Sequence, residues 1–387
     1  MRITYVKRSF LDYCVPVYRE LDLLTGNQLH VVFPDTHVPE RVRNKIKAVL
    51  GDRAVEMTGE KSLGRNRPSR DFANASWVIP YQPGLLKAIH ATRPDVVVGD
   101  GFFQWSLPGL AYRALHRKRF VMCYERTFHT ERKAQWYRSA YRRLVSPWID
   151  SVCCNGKLCA EYTQSLGFSP DVITTGGMAA DSENLQQTVD QVTTEASDAL
   201  RAKHNILGTC FLFVGQLIPR KGVAELLRGW AQFNADHSEA TLLLVGDGHQ
   251  RDELQALTQS LNLQNVHFAG AVDYDSIAPY YAMADVMVMP TLEDNWSLVV
   301  PEAMACRLPI LCSIYNGGWP ELVKDGENGW TFDPLSPDSV AQALQQMQDR
   351  KNALDALGQK SFEIVQDFTP AQAAKAIYRA CEIALNR

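Results

Sequence analysis

Four charged side chains have the types and spacing for chemistry on a phosphorylated ligand. Asp294 and Glu302 stand eight residues apart across the start of a helical pattern, and Arg220 and Lys221 are adjacent in a loop that follows an apolar run. Adjacent cations beyond a buried strand can clamp a diphosphate. Glu302, a turn or so inside its helix, can accept hydrogen bonds from a ribose diol. Asp294 sits on the loop that would face a sugar attached to that diphosphate. The alternative is an ordinary α/β nucleotide-binding domain whose acidic residues are solvated surface, so the elements that carry these side chains decide the matter.

Two strand–helix junctions are needed. The run Asp285 to Met289 is short, β-branched and apolar, which suits a buried parallel strand ended by Pro290. Thr291 to Asn295 is turn-prone, and a helix is expected to begin near Ser297. Pro301 then falls within or just past its first turn, where a missing N–H costs least. Leu308 to Cys312 is a second buried strand, and Asn316-Gly317-Gly318 a flexible turn before another short helix. A helix N-terminus at the carboxyl end of a parallel strand offers N–H groups to an anion, here around Ser297, Leu298 and Val299. The other junction is Cys210–Val214 followed by Gly215-Gln216-Leu217-Ile218-Pro219-Arg220-Lys221-Gly222.

The stretch from Asp285 to Asn328 resembles the retaining GT-B glycosyltransferases of family 4. Their hallmark is Glu-x7-Glu followed by a helix reading EAMA, a strand, and GGxPE. Here it stands as Asp294-x7-Glu302, Ala303-Met304-Ala305-Cys306 and Gly317-Gly318-Trp319-Pro320-Glu321. Asp294 replaces the usual Glu, and Glu293 beside it is an alternative first carboxylate. The family's Gly-Arg-Leu with a later Lys-Gly appears as Gly215-Gln216-Leu217 with Lys221-Gly222. The resemblance therefore assigns phosphate contact to Lys221, with neutral Gln216 in the Arg position and Arg220 the nearest cation to compensate. A Gly-x-Gly turn close to the donor is matched by Gly246-Asp247-Gly248, for which a merely structural tight turn is the equal alternative. A dinucleotide fingerprint fails there, because Arg251 holds a required glycine position.

In the first half, strand–helix alternation implies a parallel sheet covered on both faces. Ile3–Val6, Leu29–Phe33, Asp95–Gly99, Phe120–Tyr124, Ser151–Cys154 and Val172–Thr174 read as strands. Gly84–Ala91, Ser106–His116, Thr130–Val145 and Lys157–Leu166 read as helices. Asp52 to Pro83 carries no clear pattern. Residues at a strand's carboxyl end face a ligand, which marks Asp100, Glu125 and the Glu125-Arg126-Thr127-Phe128-His129 segment. The resemblance implies a functional His after this strand; His129 is that candidate and Glu125 its rival. Where the family often has a Gly-Gly turn after its first strand, this chain has Lys7 to Tyr13, and Asp12 or Tyr13 can contact an acceptor. Ten Lys/Arg and two Glu lie between Arg113 and Arg143, interleaved with Trp136, Tyr137, Tyr141 and nearby Trp148. That suits an anionic membrane surface or a phosphate-bearing acceptor, or else a helix with aromatics packed inward.

Bulk properties exclude several classes. The chain has 387 residues, ordinary charged and apolar fractions and a net charge of −3, so it is not a nucleic-acid binder as a whole. No apolar run approaches 18 residues, and the polar start MRITYVKRSFLDYC is not expected to be a secretory signal. Nine cysteines, mostly in apolar runs and without a CxxC pair, suit buried thiols in a reducing cytosol and no zinc site. Asp273-Tyr274-Asp275 precedes a helix and is read as its cap rather than as a metal ligand pair.

The expectation is an α/β GT-B fold of two Rossmann-like doubly wound domains facing across a cleft. Residues 1–180 form an acceptor-binding domain, 181–204 a linker and lead-in helix, and 205–367 a donor-binding domain. A last helix, about 368–387, packs back on the first domain, as the resemblance implies. The implied activity is metal-independent, retaining sugar transfer from a nucleotide sugar to a glycan or lipid-linked acceptor. The enzyme is expected in the cytoplasm, with peripheral membrane contact through 113–143 and no cofactor. Gly215, Arg220, Lys221, Gly246, Ser297, Leu298, Val299 and Glu302 hold the donor, while His129, Asp294 and Lys221 act at the reacting sugar. The rival readings are an inactive binding subunit of the same fold and a nucleotide-sugar epimerase.

Overall fold

The computed structural model describes residues 1–63, 79–102 and 105–387. Of the unpatterned stretch from Asp52 to Pro83, residues 64–78 therefore lie outside the described residues. The described residues divide into two compact units: those up to Asp181 with Phe368–Arg387, and Ser182–Asp367.

The first unit is built on seven parallel strands: β1 (Ile3–Val6), β2 (Leu29–Pro34), β3 (Ala54–Met57), β6 (Val96–Asp100), β7 (Arg119–Tyr124), β8 (Ser151–Cys154) and β9 (Ile173–Thr175). They run in the order β3-β2-β1-β6-β7-β8-β9. The short antiparallel pair β4 (Lys61–Leu63) and β5 (Ile79–Tyr81) stands apart. Ile3 lies opposite both Leu29 and Val96, so the central strand is bonded on each side and buried along its length. Alternation of side chains across the sheet gives two cores. Ile3, Tyr5, Val31, Phe33, Val96 and Val98 face one way. Val6, Val32, Val97, Phe120 and Met122 face the other.

The helix Pro370–Leu385 belongs to this unit. Thr369 caps it by accepting a hydrogen bond from the Gln372 amide. Its small-residue face, Ala373, Ala374, Ala380 and Ala384 with Ile377, completes the first core beside the helix Cys14–Leu24. Ser151 Oγ and Thr174 Oγ1 donate to the carbonyls of Ala380 and Ala376 at 2.6 and 3.0 Å.

The second unit repeats the plan with six parallel strands: β10 (Cys210–Val214), β11 (Thr241–Val245), β12 (Val266–Gly270), β13 (Val286–Met289), β14 (Ile310–Ser313) and β15 (Gly329–Phe332). Their order is β12-β11-β10-β13-β14-β15. In both sheets the order reverses beside the first strand, and an open α/β sheet presents ligands to the loops outside the carboxyl ends there.

Two local readings differ from the structure. The expected helix Thr130–Val145 starts only at Trp136. Thr127 and Thr130 exchange side-chain-to-backbone hydrogen bonds at 3.0 and 3.2 Å, which holds a turn where the helix would begin. The polar stretch after Asp181 forms two helices, Ser182–Val189 and Thr194–Lys203, both within the second unit. Arg201 anchors the latter by donating to the carbonyls of Met283 and Gly208 at 2.7 and 2.6 Å and to Asp285 at 3.2 Å. The helix expected near Ser297 spans Val299–Ala305.

Candidate active site

The donor-side residues converge at the carboxyl ends of β10 and β13. Lys221 Nζ donates to Asp294 Oδ2 at 2.7 Å, and both side chains are mostly buried. The two loops that carry them are bolted together by backbone. The Arg220 carbonyl accepts from the amides of Leu292 and Glu293 and from Thr291 Oγ1, at 2.8, 3.2 and 2.9 Å. Gly222 has φ +69°, and a Cβ there would strike the Pro290 carbonyl, so both conformation and space require glycine. Arg220 itself is half-buried, and among the described residues its guanidinium makes no hydrogen bond or ion pair. Gln216 is exposed.

The Gly-x-Gly turn has a structural reason for its composition. Gly246, at φ +139°, leaves no room for a Cβ against the Gly215 carbonyl, and Gly248 none against that of Leu217. The Leu217 amide donates to the Asp247 carbonyl at 3.0 Å. The turn thus fixes the 215–222 loop from behind.

Asp294 is fixed from a third side. Its amide donates to the Tyr315 carbonyl at 3.4 Å, its carbonyl accepts from Gly317 at 2.9 Å, and Oδ1 accepts from the Trp296 amide at 3.3 Å. The fully buried Asn316 accepts from the amides of Ser297 and Gly318 at 3.4 and 3.1 Å. A Cβ on Gly318 would lie 2.9 Å from Trp296, so the second glycine of the Asn316-Gly317-Gly318 turn makes way for that indole. Asn316 and Trp296 are structural members of the site that sequence reasoning missed; the Asn-Gly-Gly turn was their signal.

At the helix start, Val300 is bonded to the Ser297 carbonyl at 3.1 Å. The amides of Leu298 and Val299 precede it, in the position where a first turn has no intrahelical acceptor. Ser297 Oγ is buried with no hydrogen-bond partner among the described residues. A buried hydroxyl without a partner is costly, and a ligand oxygen would relieve it. Glu302 lies one turn further in, 7% exposed, and its Oε2 accepts from Tyr281 OH at 3.0 Å. Burial first, and then this carboxylate, push the Tyr281 phenol well above its usual range, so it remains a proton donor to Glu302. Tyr281 carried no sequence signal beyond an aromatic in a short helix.

Asp273 stands at the N-cap of a single 3-10 turn, Tyr274–Ser276, but no side chain there makes a capping bond; the Ser276 amide is held by the Asp273 carbonyl at 2.9 Å. The capping role expected for this pair is thus taken by backbone. Among the described residues, no cluster of His, Cys, Asp and Glu could hold a metal ion.

The acceptor-side candidates belong to the first unit and do not form one cluster. Asp100, at the end of β6, accepts from Tyr5 OH at 2.8 Å and pairs with Lys7 Nζ at 3.1 Å. Tyr13 lines the same small cavity as Lys7. Asp12 instead pairs with Arg41 and Lys45, at 2.7 and 2.9 Å, away from that group. Glu125 and His129 follow β7 and are half-buried. The His129 carbonyl accepts from Arg132, whose segment is pinned through buried Glu131 to Arg142 at 2.6 Å.

Two doubly wound units, each with ligand-facing loops at its strand ends, define the GT-B class. Residues 197–363 match the family described as Glycosyl transferases group 1, and residues 25–176 match Glycosyltransferase Family 4. The chain belongs to this glycosyltransferase family and has the GT-B fold. Relatives include an uncharacterized glycosyltransferase of Methanocaldococcus jannaschii, 37% identical over 34% of this chain and 33% of the relative. Another is a GDP-mannose-dependent monoacylated phosphatidylinositol monomannoside mannosyltransferase of Corynebacterium glutamicum, 29% identical over 47% of this chain and 51% of the relative. The chain thus spans a third to a half of the length of these relatives. Anabaena HepE in complex with UDP shares the fold at a TM-score of 0.76 and 17% identity, covering 98% of this chain and 99% of that one. Sucrose-phosphate synthase of Thermosynechococcus elongatus does so at 0.67 and 19%, over 98% of each.

Proposed function

We propose that this chain is a retaining glycosyltransferase that moves a sugar from a nucleotide-sugar donor to a hydroxyl of a glycan or lipid-linked saccharide, with no metal ion or other cofactor. The observation that carries the reading is the Lys221–Asp294 pair at 2.7 Å, set between loops locked to one another, with the adjacent Arg220 guanidinium and the Ser297 hydroxyl of the following helix start without partners among the described residues. Lys221, Arg220 and the amides of Leu298 and Val299 stabilise the leaving diphosphate, whose charge grows as the glycosidic bond breaks. Gly215 and Gly246 bring backbone close to it. Glu302, oriented by Tyr281, accepts from the ribose. Asp294 positions the transferred sugar without a covalent intermediate. The UDP held by one structural neighbour and the GDP-mannose used by one relative make UDP- and GDP-sugars the first donors to try.

The test is a thermal-shift screen with UDP-, GDP- and ADP-sugars in excess EDTA, followed by product analysis with the donor that shifts. A ligand of the native state raises the melting temperature. Turnover in EDTA with the donor's anomeric configuration kept is the expected result. Activity that vanishes in EDTA and returns with manganese would promote Asp273 and Asp275 to ligands and end the metal-free reading.

Gln216 and Asp294, which depart from the family's Arg and Glu, support a second reading: a subunit that binds donor without turnover. Donor binding with neither transfer nor hydrolysis would select it.

A further inference from the structure

A cavity of about 30 Å³ opens in the first unit between the end of β1 and the helix Cys14–Leu24, closed below by Met178 and Ile377. Its polar wall is built from Tyr5 of β1, Lys7 and Tyr13 of the loop that stands in place of the family's Gly-Gly turn, and Tyr18 of the helix, with Asp100 behind Lys7. Lys7 Nζ pairs with Asp100 Oδ2 at 3.1 Å, with the two side chains 14% and 31% exposed. Tyr5 OH donates to the other oxygen of Asp100 at 2.8 Å, and the Lys7 ammonium lies 5.5 Å from the Tyr5 ring centre. Burial alone would lower the Lys7 pKa, but Asp100 together with Cys14, Tyr18 and Tyr13 holds it well above the usual range. The ammonium therefore keeps its three donors, one of them spent on Asp100.

The wall also holds an unspent group. Tyr18 is 2% exposed, wedged edge-on between Tyr5 and Phe10 at centroid distances of 5.4 and 5.5 Å, and its hydroxyl has no hydrogen-bond partner among the described residues. A buried phenol is ordinarily satisfied. The space beside it has room for roughly two or three water molecules, which admits a hydroxyl of a larger ligand and not a whole sugar ring. The charges select the class of ligand. An anion would meet a Lys7 ammonium whose charge Asp100 already offsets, whereas a neutral hydroxyl can accept from Lys7 or Tyr18 without that repulsion.

We propose that Tyr18 and Lys7, the latter with its charge offset by Asp100, form an anchoring subsite for one hydroxyl of a neutral polyhydroxylated acceptor, and that this subsite disfavours phosphate-bearing acceptors. The proposal rests on the reading of the first unit as the acceptor side of a glycosyltransferase. Its test uses the full chain without donor, so that the two can fail separately. Saturation-transfer NMR is recorded with methyl α-D-glucopyranoside, methyl α-D-mannopyranoside and myo-inositol, on the native chain and on Tyr18→Phe and Lys7→Met. At least one probe should bind the native chain, roughly three- to tenfold more weakly to Tyr18→Phe, the span expected for one lost hydrogen bond, and inorganic phosphate should not compete. Tyr18→Phe removes an unsatisfied hydroxyl, so its melting temperature should be unchanged or raised, an outcome that separates ligand contact from a structural role. Equal binding by native chain and variants, absence of any saccharide signal, or Lys7-dependent binding of phosphate would each overturn the subsite. A parallel UDP thermal shift judges the donor reading independently: its absence counts against that reading and leaves the saccharide result standing.

Discussion

At the residue scale, the decisive interaction is the ion pair between Lys221 and Asp294. A cation at a leaving diphosphate acts more on the transition state than on the bound substrate, because the charge it meets grows during bond breaking. Lys221→Ala should therefore lower kcat by about 10²–10³, the cost of losing one oxyanion donor, with a smaller change in donor KM. The pairing also means that Lys221 shares its charge with Asp294, while the Arg220 guanidinium is unpaired among the described residues. Arg220→Ala should then cost nearly as much as Lys221→Ala, and Gln216→Arg should be tolerated. Near-normal kcat for Lys221→Ala in a folded protein would move the diphosphate elsewhere. Glu302 is tested through binding. Glu302→Gln should weaken nucleoside diphosphate binding by roughly 1–3 kcal/mol, the range for hydrogen bonds to charged groups, measured by calorimetry. Tyr281→Phe, which only frees the carboxylate from its phenol at 3.0 Å, should cost less.

At the scale of elements, the strand–loop–helix junctions fix these side chains through backbone, and glycine is what lets the loops approach. Gly246→Ala would force a Cβ against the Gly215 carbonyl at a positive φ, so it should destabilise the chain by at least about 1–3 kcal/mol, the cost of such strain alone, and weaken donor binding with it. A chemical melt of the variant with and without nucleotide checks both; an unchanged midpoint would deny the locked loops. These junctions were legible in the sequence because burial on both faces leaves a continuous apolar run, as in Cys210–Val214 and Asp285–Met289, and because glycine and proline punctuate it. What escaped was held by tertiary hydrogen bonds that leave no local period. The second helix after Asp181 is anchored by the guanidinium of Arg201 on oxygens of Met283, Asp285 and Gly208, which leaves no apolar period. Thr127 and Thr130 stop a helix that the pattern would begin at Thr130. Asn316 reads as a turn residue, yet it ties Ser297 to Gly318 from a fully buried position.

At the scale of the whole molecule, the unresolved quantity is what the basic, aromatic surface of the first unit meets. The sequence shows ten cations from Arg113 to Arg143, but at least five are spent internally: Arg113 and Arg119 on Asp150, Lys118 on Asp95, and Arg126 and Arg142 on Glu131. Among the aromatics, Tyr141 packs against the second core, but the tryptophans face outward. Trp136 is 81% exposed, Leu144 73% and Trp148 54%, and Trp136, Ala140, Arg143 and Leu144 recur at helical spacing along the helix Trp136–Val145. Arg132, Lys133 and Arg143 are exposed beside them. Among the described residues no helix is long and apolar enough to cross a membrane, so the contact we propose is with the surface of an anionic bilayer. Each cation near such a surface contributes about 1 kcal/mol, and indole rings settle at the headgroup level. Three exposed cations and two indoles should hold the chain reversibly. In flotation, it should rise with vesicles containing phosphatidylserine and not with phosphatidylcholine alone, and high salt should release it. Trp136→Ala with Leu144→Ala should reduce flotation and leave donor binding unchanged, since the Lys221–Asp294 pair belongs to the second unit. Equal flotation with neutral and anionic vesicles, or none with either, would assign this face to solvent.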